Sequence, residues 1–199
     1  MSNIILESTC YNIKCLEEFL ARKGKGFELP LLGRSNVGKS SLINSLFNTK
    51  LAKVSKTPGK TQSINFYKYN KNNYIVDLPG YGFAKVPKKV KDNWVKLVDF
   101  YLSNSENIIA LWWLMDANNY LNTSDRALLD YLQQYMLDTY IILTKADKLK
   151  KSEVPKIIKD LEDLLGISED KIILYSSKTP TMFGGKQKLH FLLKKIFSL

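Results

Sequence analysis

Cysteine is scarce in this 199-residue chain: Cys10 and Cys15 are the only two, and they form neither a C-x-x-C pair nor a metal-ligating set. Nothing calls for a disulfide framework, and a reducing compartment is expected. Histidine is reduced to His190, which falls in the last helical stretch and reads as a surface residue. No apolar run is long enough to span a bilayer, the longest being 108–115. The start, Met1 to Glu7, has neither a basic n-region nor a long apolar core, so it does not read as a signal peptide. The expectation is a cytoplasmic protein with no membrane partner.

Acidic residues are the other deficit. Against 30 Lys and Arg stand only 19 Asp and Glu, a net charge of +11. That sign favours a polyanionic partner, nucleic acid before membrane. Arg22, Arg34 and Arg126 are the only arginines, so a lysine-rich solvated surface is the alternative reading. Hydrophobic residues at 45% and charged residues at 25% are ordinary for a globular chain. The length suits one domain over 1–199, with 1–25 as an N-terminal extension and 26–199 as the core.

What is present centres on Gly33-Arg34-Ser35-Asn36-Val37-Gly38-Lys39-Ser40, which fits G-x-x-x-x-G-K-[ST]. Glycines at both ends let the loop curl so that successive N–H groups point at one centre. The helix that follows adds its positive N-terminal end. Lys39 reaches the outer phosphates, and the Ser40 hydroxyl ligates Mg²⁺. The context is right: Leu29-Pro30-Leu31-Leu32 precedes it, and Leu42, Ile43, Leu46 and Phe47 follow at helical spacing. The loop specifies a nucleoside triphosphate without saying which.

Further along, strands are expected at 27–32, 64–69, 74–77, 108–115, 140–143 and 172–175, with Ile4-Ile5-Leu6 as a short edge strand. Pro30 conflicts with a central strand, since it cannot donate to a ladder. Helical stripes run through Trp94–Leu102, Leu128–Met136, Val154–Leu165 and Leu189–Phe197. Thr123 or Ser124 is the expected cap of the second of these, and Gly166 closes the third. Residues 48–62 carry four lysines and no apolar period, and read as a mobile loop. Alternation of strands and helices predicts an α/β fold with helices on both faces. Its sheet is mostly parallel and six-stranded, and the hairpin makes one edge strand antiparallel.

Three more motifs follow strands, where ligands of such folds gather. Asp77-Leu78-Pro79-Gly80 offers a carboxylate for the Mg²⁺ shell and a glycine N–H for a γ-phosphate. Thr144-Lys145-Ala146-Asp147 offers a carboxylate that accepts both N1–H and the exocyclic amine of guanine; adenine has no such pair. Lys145 can lie along the base plane. Ser176-Ser177-Lys178 offers backbone N–H groups to the guanine oxygen. Within the loop, Thr57-Pro58-Gly59-Lys60-Thr61 makes a turn that delivers Thr61 to Mg²⁺ when the γ-phosphate is present; a lysine-rich surface turn is the alternative. Trp112 and Trp113 read as core, and Glu17-Glu18 as a solvated helix face.

These residues and their order resemble the translation-factor-type GTPases, and more closely the EngB family of bacterial ribosome-assembly GTPases. The resemblance is carried by Gly-Arg-Ser-Asn-Val-Gly-Lys-Ser-Ser-Leu-Ile-Asn (33–44, including Ser41), Thr-Pro-Gly-Lys-Thr-Gln (57–62), Asp-Leu-Pro-Gly-Tyr-Gly-Phe-Ala-Lys (77–85) and Thr-Lys-Ala-Asp (144–147). It implies a Ras-like P-loop GTPase fold, GTP and GDP as ligands, and Mg²⁺ held by Ser40, Thr61 and Asp77. It also implies the large ribosomal subunit and its RNA as partners, a monomer, and a link to the cell cycle and septation. The family often carries a basic or His-containing stretch after the fourth core strand; here that stretch is Asp116-Ala117-Asn118-Asn119-Tyr120.

Ras-type enzymes place a water-orienting glutamine just after D-x-x-G. Here that position is Tyr81, so hydrolysis is expected to be slow without help. Asn36 stands where related GTPases bind K⁺, which makes K⁺ a candidate second ion. The catalytic set is therefore Lys39, Asn36, Thr61 and Gly80. The function expected is a GTP-dependent switch with slow GTPase activity. A non-hydrolysing GTP-binding scaffold and a small-molecule kinase are the rivals.

Overall fold

The computed structural model describes residues 4–54, 63–70, 72–82 and 88–198. Seven strands form one sheet: β1 (Ile4–Cys10), β2 (Glu28–Gly33), β3 (Ile64–Tyr69), β4 (Asn73–Asp77), β5 (Leu111–Asp116), β6 (Thr139–Thr144) and β7 (Ile172–Leu174). Their order across the sheet is β1-β3-β4-β2-β5-β6-β7. This corrects the six-stranded expectation, because the N-terminal strand completes the edge. It also moves the antiparallel strand inward. β3 is antiparallel to both β1 and β4, and β1, not β3, is the edge strand. The remaining strand pairings are parallel.

Six α-helices accompany the sheet among the described residues: α1 (Ile13–Arg22), α2 (Lys39–Leu46), α3 (Lys88–Asn104), α4 (Thr123–Gln133), α5 (Val154–Leu165) and α6 (Gly185–Ile196). Period-two alternation in the strands sends neighbours to opposite faces. Leu32, Leu111, Trp113 and Met115 pack with Leu16, Val98, Leu128 and Leu161, from α1, α3, α4 and α5. Leu31, Trp112 and Leu114 pack with Leu42, Ile43, Leu189 and Leu193, from α2 and α6. Both faces are thus covered, which explains why β5 reads as an unbroken apolar run.

Pro30 does sit in a central strand, opposite Val76 of β4. It contributes no N–H to the ladder, and the pairing with β5 begins one residue later, at Leu31 and Trp112. The cap of α4 is a second correction. Neither Thr123 nor Ser124 performs it; the Asn122 side chain accepts the Ser124 and Asp125 N–H groups, while Asp125 returns to the Asn122 N–H. That reciprocal capping box satisfies donors that a lone threonine leaves open. Gly166 closes α5 in the left-handed region, φ 63°, as expected of a glycine there. At the sheet's far end the fully buried Glu28 accepts from Tyr101 Oη and Ser105 Oγ, each at 2.7 Å, and pairs with Lys23 at 2.5 Å. A buried carboxylate persists only with such partners.

Candidate guanine-nucleotide site

β2, β4, β5, β6 and β7 run parallel, so their carboxyl ends lie along one margin of the sheet. The phosphate loop leaves β2, Asp77-Leu78-Pro79-Gly80 leaves β4, Thr144-Lys145-Ala146-Asp147 leaves β6, and Ser176-Ser177-Lys178 follows β7. The four motifs therefore converge. Thr57, Pro58, Gly59, Lys60 and Thr61 lie outside the described residues.

The phosphate loop is held in shape by its own residues and by its neighbours. Gly38 caps α2 with φ 116°, a conformation side chains rarely adopt. Asn36 is also left-handed, φ 62°. A Cβ on Gly33 would stand 2.7 Å from the Leu114 carbonyl oxygen, so the strand-to-loop exit has no room for a side chain. Lys39 Nζ donates to the Gly33 carbonyl at 3.0 Å, folding its stem back across the loop. Burial lowers the Lys39 pKa, and the Asp77 charge opposes that only in part. With only the Gly33 carbonyl bonded to it among the described residues, such an amine has donors left over that a phosphate would take up.

Asp77 shows the matching deficit. Its Oδ2 accepts from Ser40 Oγ at 3.4 Å, while its buried Oδ1 has no partner among the described residues. Burial pushes the carboxyl up to about 6, against the Lys39 charge and the Ser40 hydroxyl. A hydroxyl and an incompletely satisfied carboxylate beside a phosphate loop are hard oxygen donors that fit Mg²⁺. That ion is usually bound through only one or two carboxylates and draws most other ligands from phosphates and water. No group of three or more His, Cys, Asp or Glu side chains that could hold a metal occurs among the described residues. Bound there, Mg²⁺ would neutralise phosphate charge; Ser40 and Asp77 would hold it.

The 144–147 loop is joined to the phosphate loop by one hydroxyl. Thr144 Oγ1 is buried and lies 2.7 Å from the Val37 carbonyl and 3.0 Å from that of Met115. The Ala146 N–H donates to Tyr175 O at 3.2 Å, which ties the 144–147 loop to the end of β7. Asp147 Oδ1 accepts from Ser176 Oγ at 2.6 Å, and that oxygen in turn accepts the Lys178 and Thr179 N–H groups at 3.2 Å. Asp147 is thus aimed by a serine that is itself aimed by backbone. Lys145, left-handed with φ 58°, is paired with Asp116 at 2.7 Å.

The model of the family described as 50S ribosome-binding GTPases matches residues 28–145, which is more than half of the chain. Among curated proteins, the probable GTP-binding protein EngB of Alkaliphilus metalliredigens is 45% identical over 152 residues, covering 75% of this chain and 73% of that one. Its counterpart in Bacillus velezensis is 40% identical over 173 residues, covering 86% and 87%. The chain belongs to the EngB family of GTP-binding proteins. It is a GTPase. A crystal structure of a probable EngB protein superposes with TM-score 0.67 at 24% identity, covering 86% of this chain and 98% of that one. Era in complex with MgGDPNP and a 16S ribosomal RNA segment superposes with TM-score 0.65 at 20% identity, covering 87% and 56%. At such identities these two likenesses bear on the fold alone.

Within this EngB chain, several residues that shape the site have no motif to announce them. Asp116, in sequence only a departure from a basic stretch, positions Lys145. Burial alone would raise its carboxyl; the Lys145 hydrogen bond, the Asn118 N–H and the charges of Lys145 and Lys148 outweigh it and lower the pKa. Asp125 and Trp113 likewise carry no sequence signal of a role at the site. Tyr81 Oη donates to Asp125 Oδ1 at 2.6 Å and accepts from Trp113 Nε1 at 2.7 Å. Only the N-x-x-D spacing of Asn122 and Asp125 hints at any of this in the sequence.

Proposed function

We propose that this GTPase is a slow switch, a single GTPase unit that assists assembly of the large ribosomal subunit. The observation that carries the reading is the direction of the Tyr81 hydroxyl. Where Ras-type enzymes present a water-orienting glutamine, this chain turns a 6%-exposed phenol inward to Asp125 and Trp113. No side chain at that position orients a nucleophile, so turnover waits on a partner or an ion. The net charge of +11 supports an RNA-rich partner. Guanine is read by Asp147, with Lys145 along the base and the 176–178 backbone at its oxygen. The phosphates rest on residues 33–41, and Gly80 senses the γ-phosphate. Thr61 joins Ser40 and Asp77 in holding Mg²⁺ in the GTP state. No described helix is long and apolar enough to cross a membrane; the reading as a cytoplasmic monomer is ours, and a link to septation rests on family resemblance.

The test is co-sedimentation with large ribosomal subunits. Lys88, Lys89 and Lys91 fall in the first turn of α3, and Lys85 just before it lies outside the described residues. Together they follow the γ-phosphate sensor in the chain. Binding should be tighter with GTP than with GDP. Replacing the four lysines by alanine should weaken it and flatten the plot of log affinity against log salt by roughly one unit for each lysine–phosphate pairing removed. GTP binding should be retained. Undiminished co-sedimentation of the quadruple variant at every salt concentration would leave the lysines as solubilising groups only.

Asn36 carries a second reading, that K⁺ assists charge neutralisation in the transition state. Single-turnover hydrolysis should run faster in K⁺ than in Na⁺ at equal ionic strength, and Asn36→Ala should abolish the difference. Equal rates in both salts count against it.

A further inference from the structure

The residues around Gly80 are fastened from both sides, and by different elements. Upstream, the Pro79 carbonyl accepts from Trp94 Nε1 of α3 at 2.8 Å. Downstream, Tyr81 is fixed through its side chain and its backbone alike. Its hydroxyl is held between Asp125 of α4 and Trp113 of β5. Its carbonyl accepts the Ser35 N–H at 3.0 Å, and its own N–H donates to Gly33 O at 3.4 Å. The Tyr81 and Trp94 rings meet edge to face, 6.5 Å between centroids. Between these anchors Gly80 lies so close to the phosphate loop that a Cβ on it would stand 2.8 Å from Ser35 N.

The Asp125 end of this clamp is rigid for a stated reason. Asp125 is fully buried, and its second oxygen accepts the Asn122 N–H and Nδ2 groups of the α4 capping box. The helix start therefore fixes the carboxylate, the carboxylate fixes the phenol, and the phenol fixes the backbone beside Gly80. The burial that raises the Tyr81 pKa, reinforced by the Asp125 charge, keeps the phenol protonated and donating.

We propose that Tyr81 and Trp94 are positioning residues for GTP hydrolysis: they clamp the Gly80 backbone against the phosphate loop and so set the preference for GTP over GDP. The proposal rests on the reading of Gly80 as the γ-phosphate sensor. Tyr81 then does not occupy a vacated catalytic position. The position that holds a mobile glutamine in Ras-type enzymes is used here as an anchor, which trades a water-orienting side chain for a pre-placed N–H. Pre-placement matters because a hydrogen bond to a charged phosphate strengthens a complex most when the donor is already ordered before the ligand arrives.

The experiment measures affinity for GDP, affinity for a non-hydrolysable GTP analogue, single-turnover hydrolysis and melting temperature in four variants. Tyr81→Phe removes the two hydrogen bonds of the phenol, to Asp125 and from Trp113, and Trp94→Phe removes the one to the Pro79 carbonyl, each while keeping an aromatic ring. GDP affinity should stay within about twofold of wild type, and the preference for the analogue over GDP should fall about tenfold, the scale of one charge-assisted hydrogen bond. Hydrolysis should fall with it. Tyr101→Phe is the control for stability. It deletes a buried tyrosine hydroxyl bonded to a carboxylate, Glu28, at the opposite end of the sheet, and should lower the melting temperature without moving the ratio. Gly80→Ala tests the underlying reading. If it shifts the ratio while Tyr81→Phe and Trp94→Phe do not, the clamp is wrong and the sensor stands. If Gly80→Ala leaves the ratio unchanged, the sensor reading and the clamp fall together. A rise in GTP preference in the phenylalanine variants, or an equal shift in Tyr101→Phe, also overturns the clamp. Should Tyr81→Phe fail to fold, Trp94→Phe decides the matter alone.

Discussion

Asp147→Asn should exchange guanine nucleotides for xanthine nucleotides. Ser176 dictates the outcome: its hydroxyl donates to Asp147 Oδ1 at 2.6 Å while its oxygen receives the Lys178 and Thr179 N–H groups. With its acceptor capacity engaged by backbone, this hydroxyl remains a donor, and an asparagine at 147 must turn its carbonyl oxygen toward it. The amide NH₂ then faces the base. Guanine presents N1–H and an amine there, so donors would meet donors with water excluded. Xanthine presents a carbonyl in place of the amine and accepts instead. Sites built around a base's hydrogen bonds reject the mismatched partner by factors on the order of 10⁴. GDP affinity should therefore fall by several orders of magnitude, with xanthosine diphosphate becoming the preferred ligand in equilibrium titration. Unaltered guanine preference in the variant would remove Asp147 from base reading.

The same residues show where sequence suffices. Motif positions are legible because their chemistry is local: the phosphate loop depends on glycine conformations and on a following helix, and both are visible in a short stretch of chain. Strand-ending motifs converge once the sheet is known to be parallel, and apolar runs such as Leu111–Met115 disclose that. What sequence does not disclose is held by long-range pairs. Thr144 and Val37 are 107 residues apart, and Tyr81 and Asp125 are 44 apart; no periodicity encodes such partners. The edge strand β1 is visible as Ile4-Ile5-Leu6, but its place outside β3 depends on register with Tyr69, Lys68 and Tyr67. The α4 cap falls at Asn122, before both expected positions, Thr123 and Ser124, because all three residue types cap well. Only the returning Asp125 carboxylate distinguishes among them. Of the loop expected over 48–62, residues 55–62 lie outside the described residues, so the place of Thr61 rests on sequence alone.

Lys39→Met should abolish the stabilisation that nucleotide binding gives the fold. In the structure the amine is buried, its pKa lowered by burial with Asp77 opposing, and Gly33 O accepts a hydrogen bond from it. An ammonium group has three donors, and one backbone acceptor among the described residues leaves a deficit that phosphate oxygens would fill. Methionine keeps the length and apolar character of the stem and loses only the charge and the donors. Each charge-assisted hydrogen bond contributes roughly 1.5–3 kcal/mol, so the variant should bind GTP about a hundredfold more weakly or worse. Linkage converts this into a melting experiment. At a concentration about one hundred times its dissociation constant, a ligand stabilises the folded state by about 2.7 kcal/mol, and the gain falls to about 0.4 kcal/mol when the ligand only equals that constant. Wild type should therefore show a clear rise in melting temperature with Mg²⁺ and GTP, and Lys39→Met almost none at the same concentrations. Melting without nucleotide serves as the reference for each protein, so any change in the empty fold cancels from the comparison. A full nucleotide-induced rise in the variant would mean that the phosphates do not rest on Lys39, and the loop's assignment as the triphosphate cradle would fail with it.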